Sequence, residues 1–250
     1  MSRLFGLIGF PLTHSFSKKY FTQKFLEEGI NDTSYELFEM EAAAGFASLF
    51  KENADLVGIN VTIPHKKAVI PLLTKLDQSA SRVGAVNVIR KEPDGSLTGF
   101  NSDYIGFLRS LQNWAGDEIV GAKALVLGTG GAASAVKVAL EDLKIEFLQV
   151  SRSAGNGVIT YEGLKKEPGI IEQRRLIINT TPLGTYPDIG KCPDIGFDQI
   201  GAGHLLYDLV YNPAQTLFMK KGLQNGAKVK NGYDMLVLQA ERAWEIWNQK

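Results

Sequence analysis

At 250 residues the chain is long enough for one large domain or two smaller ones, each with a core of its own. Its 27 basic and 27 acidic residues balance, so no global field favours nucleic acid or an anionic membrane surface. Cys192 is the only cysteine, which excludes an intramolecular disulfide and a cysteine-rich zinc site. The first half reads as alternating elements. Strands are expected near 3–9, 33–38, 56–61, 85–90 and 96–100, with helices near 17–29, 42–52 and 66–74 and a short one at 76–80. The opening apolar run is broken by Gly6, Gly9 and Pro11, is too short to span a bilayer and lacks a cleavage site, so a cytoplasmic chain is expected. His14, His65 and His204 are scattered without metal-ligand spacing, and no metal is expected.

Residues 103–114 read as an amphipathic connector with Ile105, Leu108, Leu111 and Gln112 on one face. Beyond it, strands at 123–127, 145–150, 175–179, 205–209 and 227–229 alternate with helices at 131–142 and 213–223, the pattern of a parallel sheet. A last helix, 233–247, is expected to return to the first unit. The fold class is therefore α/β in two units: 1–103 with 232–250, and a Rossmann-type unit at 104–231. Residues 188–199, rich in proline, glycine and aspartate, read as a loop that suits a lid.

Leu125-Val126-Leu127-Gly128-Thr129-Gly130-Gly131-Ala132-Ala133 carries the clearest chemistry. An apolar strand, a G-x-G-x-x-A turn and a helix form the dinucleotide-binding fingerprint. Gly128 suits the tight turn, Gly130 lets backbone approach a pyrophosphate, and Ala133 lets the helix pack on the sheet. The helix start, at Gly131 and Ala132, offers N–H groups to phosphate. The next strand ends in Ser151-Arg152-Ser153 with no carboxylate to hold a ribose 2′-OH. Arg152 and the serines suit a 2′-phosphate, which favours NADP over NAD.

A second set of polar residues stands at turns of the first half. Ser15 and Ser17 follow the first strand, two apart, so an extended segment would point both hydroxyls one way; Ser17 alone also suits a helix N-cap. Asn60 and Thr62 alternate onto one face before Pro64, and Lys66 follows on the turn. Asn87 and Asp103 close two further strand ends. Each alone has a structural explanation as an Asx-turn, a cap or a solvated lysine.

Taken together, the two serines after P-x-x-H, the N-V-T-x-P-x-K block, A-V-N, G-x-N-x-D, G-x-G-G-A, N-T-T-P-L-G and G-x-x-M-L-x-x-Q-A resemble shikimate 5-dehydrogenase, in order, from Gly6 to Ala240. The resemblance implies an N-terminal α/β substrate domain, a Rossmann domain for NADP(H), and an active site in the cleft between them. It implies that Ser15, Ser17, Asn60, Thr62, Asn87, Tyr211 and Gln239 bind shikimate or 3-dehydroshikimate. Lys66 and Asp103 are the implied catalytic pair: lysine protonates the carbonyl oxygen as hydride arrives, and the carboxylate orients it. Gly128, Gly130, Gly131, Ala132, Arg152, Ser153, Thr180, Gly232 and Met235 are the implied cofactor residues. Two departures stand out. Family members often carry N-R-T and a second basic residue after the arginine, where this chain has Ser151-Arg152-Ser153-Ala154-Gly155-Asn156. Thr185 stands where many have methionine.

The implied function is reversible NADPH-dependent reduction of 3-dehydroshikimate to shikimate. The partners expected are this small molecule and no nucleic acid or membrane, in a monomer or homodimer. A broader quinate/shikimate dehydrogenase using NAD or NADP would share Lys66 and Asp103. A non-catalytic sensor of NADP or a polyol acid would have no need of that pair, and a methyltransferase would use a different glycine loop.

Overall fold

The computed structural model describes residues 2–13, 15–167 and 169–249. In chain order it forms β1 (Arg3–Gly9), α1 (Phe16–Glu27), β2 (Thr33–Glu39), α2 (Phe46–Glu52), β3 (Leu56–Val61), β4 (Lys75–Leu76), α3 (Gln78–Val83), β5 (Val88–Lys91), β6 (Leu97–Phe100) and α4 (Ser102–Ala115). There follow β7 (Lys123–Leu127), α5 (Gly131–Asp142), β8 (Glu146–Ser151), β9 (Val158–Thr160), α6 (Tyr161–Lys166), α7 (Gly169–Glu172), β10 (Leu176–Asn179), β11 (Leu205–Asp208), α8 (Leu217–Gln224), β12 (Lys228–Lys230) and α9 (Tyr233–Asn248). They fall into two compact units, residues 1–102 with 240–250, and residues 103–239. By packing, Asp103 and 232–239 count with the second unit, although the sequence division groups them with the first.

The first unit is a mixed six-stranded sheet ordered β2-β1-β3-β5-β6-β4. β1 pairs in parallel with β2 and β3, whereas β5 runs antiparallel to β3 and β6. Alternation along β1 splits its apolar side chains between two faces. Phe5 and Leu7 pack in a cluster with Phe21, Phe25 and the end of α9, while Leu4 and Ile8 pack with Phe46, Phe50 and Ile59. Gly58 makes room for α9: a Cβ there would lie 2.3 Å from Trp247 Nε1. That indole donates to the Ile89 carbonyl at 3.1 Å.

The second unit is a parallel sheet ordered β12-β11-β10-β7-β8-β9. Counted from β7, this is the 3-2-1-4-5-6 order of a doubly wound dinucleotide-binding sheet, with its switch point between β7 and β10. Val126, Ile178 and Tyr207 face a cluster with Phe107, Leu111 and Val136; Leu125, Leu127 and Ile177 face the opposite cluster with Leu164 and Phe218.

Several expected elements differ. The helix expected at 66–74 is a series of turns ending in a 3-10 turn, Ile70–Leu72, because Pro71 lacks the amide that a continuous helix needs. The helix expected from 213 begins at Leu217, capped by Thr216, whose hydroxyl accepts from Met219 N at 3.3 Å. On α4 the core face is Phe107, Leu111 and Ala115; Ile105 and Leu108 are half-buried and Gln112 is exposed. Residues 188–199 are no free lid: Ile195 is fully buried, and Cys192 and Phe197 pack beside it. Among the described residues, no helix is long and apolar enough to cross a membrane. No cluster of three or more His, Cys, Asp or Glu able to hold a metal ion occurs there either.

Candidate functional site

In the first unit, strand ends gather a buried polar network. Asn60, on β3, is 6 % exposed, and its Oδ1 accepts from the Tyr35 hydroxyl at 2.7 Å. Its Nδ2 donates to the Asn87 carbonyl at 3.2 Å. Asn87 in turn accepts from Ser102 N at 2.7 Å and donates from Nδ2 to Ser102 Oγ at 3.0 Å. Burial pushes the Tyr35 phenol up, and a hydrogen bond with Ser17 opposes that rise. The network thus runs from Ser17 through Tyr35 and Asn60 to Asn87 and Ser102. Five residues' amide and hydroxyl groups hold one another in register.

Ser15, not Ser17, is the cap of α1, accepting from Lys18 N at 3.3 Å. Ser17 therefore lies in the first helical turn, and the expected extended spacing of the two hydroxyls does not hold, since helical residues two apart do not share a face. The preceding motif residue, His14, lies outside the described residues. Thr62 follows β3; its amide donates to the Ile8 carbonyl and its carbonyl accepts from His65 N. His65 is buried, with Nε2 on the Met40 carbonyl at 2.7 Å, which fixes the turn that carries Lys66. Lys66 is half-buried, and its carbonyl accepts from Val86 N at 2.8 Å, tying the lysine turn to Asn87. In the G-x-N-x-D motif, Asn101 spends its amide on the Ala85 carbonyl at 3.0 Å, a structural role.

The second unit carries a pocket of about 460 Å³ at the switch point. Gly128, Thr129 and Gly130 line it from the end of β7, Ser151 and Arg152 from β8, and residues 180–183 from β10. Gly128 has φ +112°, which a side chain would strain, and a Cβ there would lie 2.7 Å from Thr180 Oγ1. That hydroxyl donates to the Leu127 carbonyl at 2.7 Å. By contrast, a Cβ at Gly130 or Gly131 would meet nothing within 4 Å, so open space stands where a phosphate must approach. Gly130 caps α5 without a side chain, leaving the first amides of a three-turn helix to a ligand. Ala132 and Ser153 are exposed beside this pocket's segments.

Below the 180–183 loop lies Asp208, at the end of β11 and fully buried. It accepts from Thr216 Oγ1 at 2.6 Å, Asn179 Nδ2 at 2.9 Å and Val210 N at 3.0 Å. Burial pushes its carboxyl up to about 6 against those donors. Asn179, so oriented, accepts from Thr181 N and Thr181 Oγ1 and thereby sets the loop. Sequence reading singled out neither Asp208 nor Tyr161, which also lines the pocket. Asp208 closes an apolar strand, as Asn179 does, and a buried carboxylate there was the available signal.

Gly232, Met235, Tyr211 and Gln239 fall outside that pocket lining. Gly232 is needed for packing, since a Cβ would lie 2.1 Å from the Leu209 carbonyl. Met235 is buried in the cluster of Phe107 and Tyr207. Gln239 donates to the Leu236 carbonyl at 3.1 Å, where α9 crosses α4 closely at Gly106. Tyr211 is 39 % exposed.

Residues 7–89 match the family model of the shikimate dehydrogenase substrate-binding domain. The shikimate dehydrogenase (NADP(+)) of Geobacillus kaustophilus is 34 % identical over 259 residues, covering 99 % of this chain and 93 % of the relative. The chain belongs to the shikimate dehydrogenase family. Among solved structures, the chorismate mutase/shikimate 5-dehydrogenase fusion protein of Clostridium acetobutylicum superposes with a TM-score of 0.88 at 36 % identity, over 99 % of this chain and 92 % of that one. The quinate dehydrogenase of Corynebacterium glutamicum, in complex with NAD, gives 0.86 at 25 % identity over 99 % and 94 %. This chain thus shares its fold with structures named for shikimate and for quinate dehydrogenases, and the fold alone does not choose between those substrates.

Proposed function

We propose that this chain catalyses the reversible NADPH-dependent reduction of 3-dehydroshikimate to shikimate, a step of aromatic amino-acid biosynthesis. The observation that carries the reading is the pairing, in one chain, of the buried Asn60–Asn87 network beside the Lys66 turn with a switch-point pocket ending in Arg152. Residues 1–103 with 232–250 act as the substrate domain, and 104–231 as the NADP domain. A small polyol acid is selected by fixed donors and acceptors, since an apolar pocket barely discriminates a hydroxyl. Ser15, Ser17, Asn60, Thr62, Asn87, Tyr211 and Gln239 take that role.

The second unit's residues fit NADP. The open space at Gly130 and Gly131 and the start of α5 suit the pyrophosphate, with Gly128 and Ala132 shaping the turn. Arg152 and Ser153 suit the 2′-phosphate, and Thr180 and the loop it opens suit the nicotinamide side, with Gly232 and Met235 behind. When bound, the cofactor supplies the hydride. As the carbonyl is reduced, Lys66 stabilises the developing alkoxide and donates its proton to that oxygen; in the reverse direction the neutral amine accepts it. Asp103, in the first turn of α4, supplies the carboxylate of the catalytic pair. Loss of NADPH absorbance on adding 3-dehydroshikimate, with shikimate recovered as product, tests the assignment; an inert mixture would overturn it.

A further inference from the structure

The end of the pocket that carries Arg152 also holds Tyr161, which the reading of Arg152 and its flanking serines does not include. β9 pairs in parallel with β8, and their register sets Ser151 beside Thr160. The next residues on each strand, Arg152 and Tyr161, therefore leave the sheet side by side at its carboxyl edge, where doubly wound sheets bind ligands. Both line the pocket with Gly128 and Gly130. Thr160 fixes the direction of departure: it caps α6, with its hydroxyl accepting from Gly163 N at 3.0 Å. Tyr161 is half-buried, its ring packed against the cluster of Val150 and Leu164. The ring is thus held at the wall of the pocket.

We infer that Tyr161 is a cofactor-specificity residue, its hydroxyl reading the ribose 2′-phosphate together with Arg152. This rests on the NADP assignment above. The chain has no second basic residue at 153–157 to complete a clamp, so a neutral donor beside a single guanidinium is the complement available. Burial pushes the phenol upward while Arg152 pulls it down, and a protonated phenol enters as a donor to the dianion. A hydrogen bond to a charged group adds discrimination, because NAD offers a hydroxyl there in place of phosphate.

The test is calorimetric titration of wild-type protein, Tyr161→Phe and Arg152→Ala with NADP+, NAD+ and 2′,5′-ADP. Tyr161→Phe keeps the packed ring and removes only the hydroxyl. We expect it to weaken NADP+ and 2′,5′-ADP by about tenfold while NAD+ stays within about twofold of wild type. Unchanged NADP+ affinity in Tyr161→Phe, with Arg152→Ala still impaired, would overturn the role of Tyr161 and leave the NADP assignment standing. Wild-type protein that fails to prefer NADP+ over NAD+ would overturn both. An equal loss for NADP+ and NAD+ in Tyr161→Phe would make the hydroxyl structural and overturn the specificity role.

Discussion

Asp208 shows how one buried side chain can set a loop and carry a pH dependence. Asp208 accepts from Asn179, Val210 and Thr216, and Asn179 so held accepts from Thr181, so the carboxyl supports the pocket from beneath. Because burial outweighs those donors, its folded pKa is raised from 3.8 to about 6. The folded state then binds the proton more tightly than the unfolded chain. Its contribution is full below the unfolded value and is lost as pH rises through about 6, a change of ~3 kcal/mol. Asp208→Asn is expected to flatten that fall in urea-measured stability between about pH 4 and 6. An unaltered slope would assign the pH dependence elsewhere. Lys66 belongs to the same scale: Lys66→Ala should lower kcat at least about a hundredfold with cofactor affinity retained. Near-normal turnover would remove it from the chemistry. Both lysine and asparagines were readable as turn residues at strand ends. The exchange of roles between Ser15 and Ser17 was not, because either serine makes an acceptable cap and only the backbone decides where the helix begins.

At the scale of elements, α9 has two tasks. Its first turns pack within the second unit, and from Ala240 onward its residues join the core of the first. Trp247, 4 % exposed, fills the space left by Gly58 and satisfies its indole on the Ile89 carbonyl. Trp247→Ala should cost about 3–5 kcal/mol of unfolding free energy in a denaturant titration, the range for deleting a buried aromatic. A loss below about 1 kcal/mol would show the helix end to be only loosely docked. The long elements were legible because apolar periodicity repeats over many residues, as in β1, β3, β7 and α5. Short ones were hidden. β9 has three residues, all half-buried, too few for a period, and missing it also hid Tyr161. The region 66–74 misled because its apolar spacing is helical while Pro71 interrupts the hydrogen bonds.

For the whole molecule, two sheets of different kind carry two kinds of recognition. The mixed sheet of the first unit offers buried amides and hydroxyls, and the parallel sheet of the second offers glycine turns and one guanidinium. The parallel order was legible from alternating strand and helix patterns, since parallel neighbours need crossover connections. The antiparallel turn of β5 and β6 was not, because strand direction leaves no periodic trace. Adding NADP+ should slow amide hydrogen exchange most at 128–134, 151–153 and 180–183. Protection elsewhere, with none at these segments, would displace the cofactor site. The most direct test of the account is a comparison of initial rates of cofactor reduction with shikimate or quinate, each paired with NADP+ or NAD+. Shikimate with NADP+ should exceed every other pairing by a wide margin. Comparable rates with quinate or NAD+ would contradict the narrow specificity assigned to this chain, and no rate with any pair would contradict its assignment as a dehydrogenase.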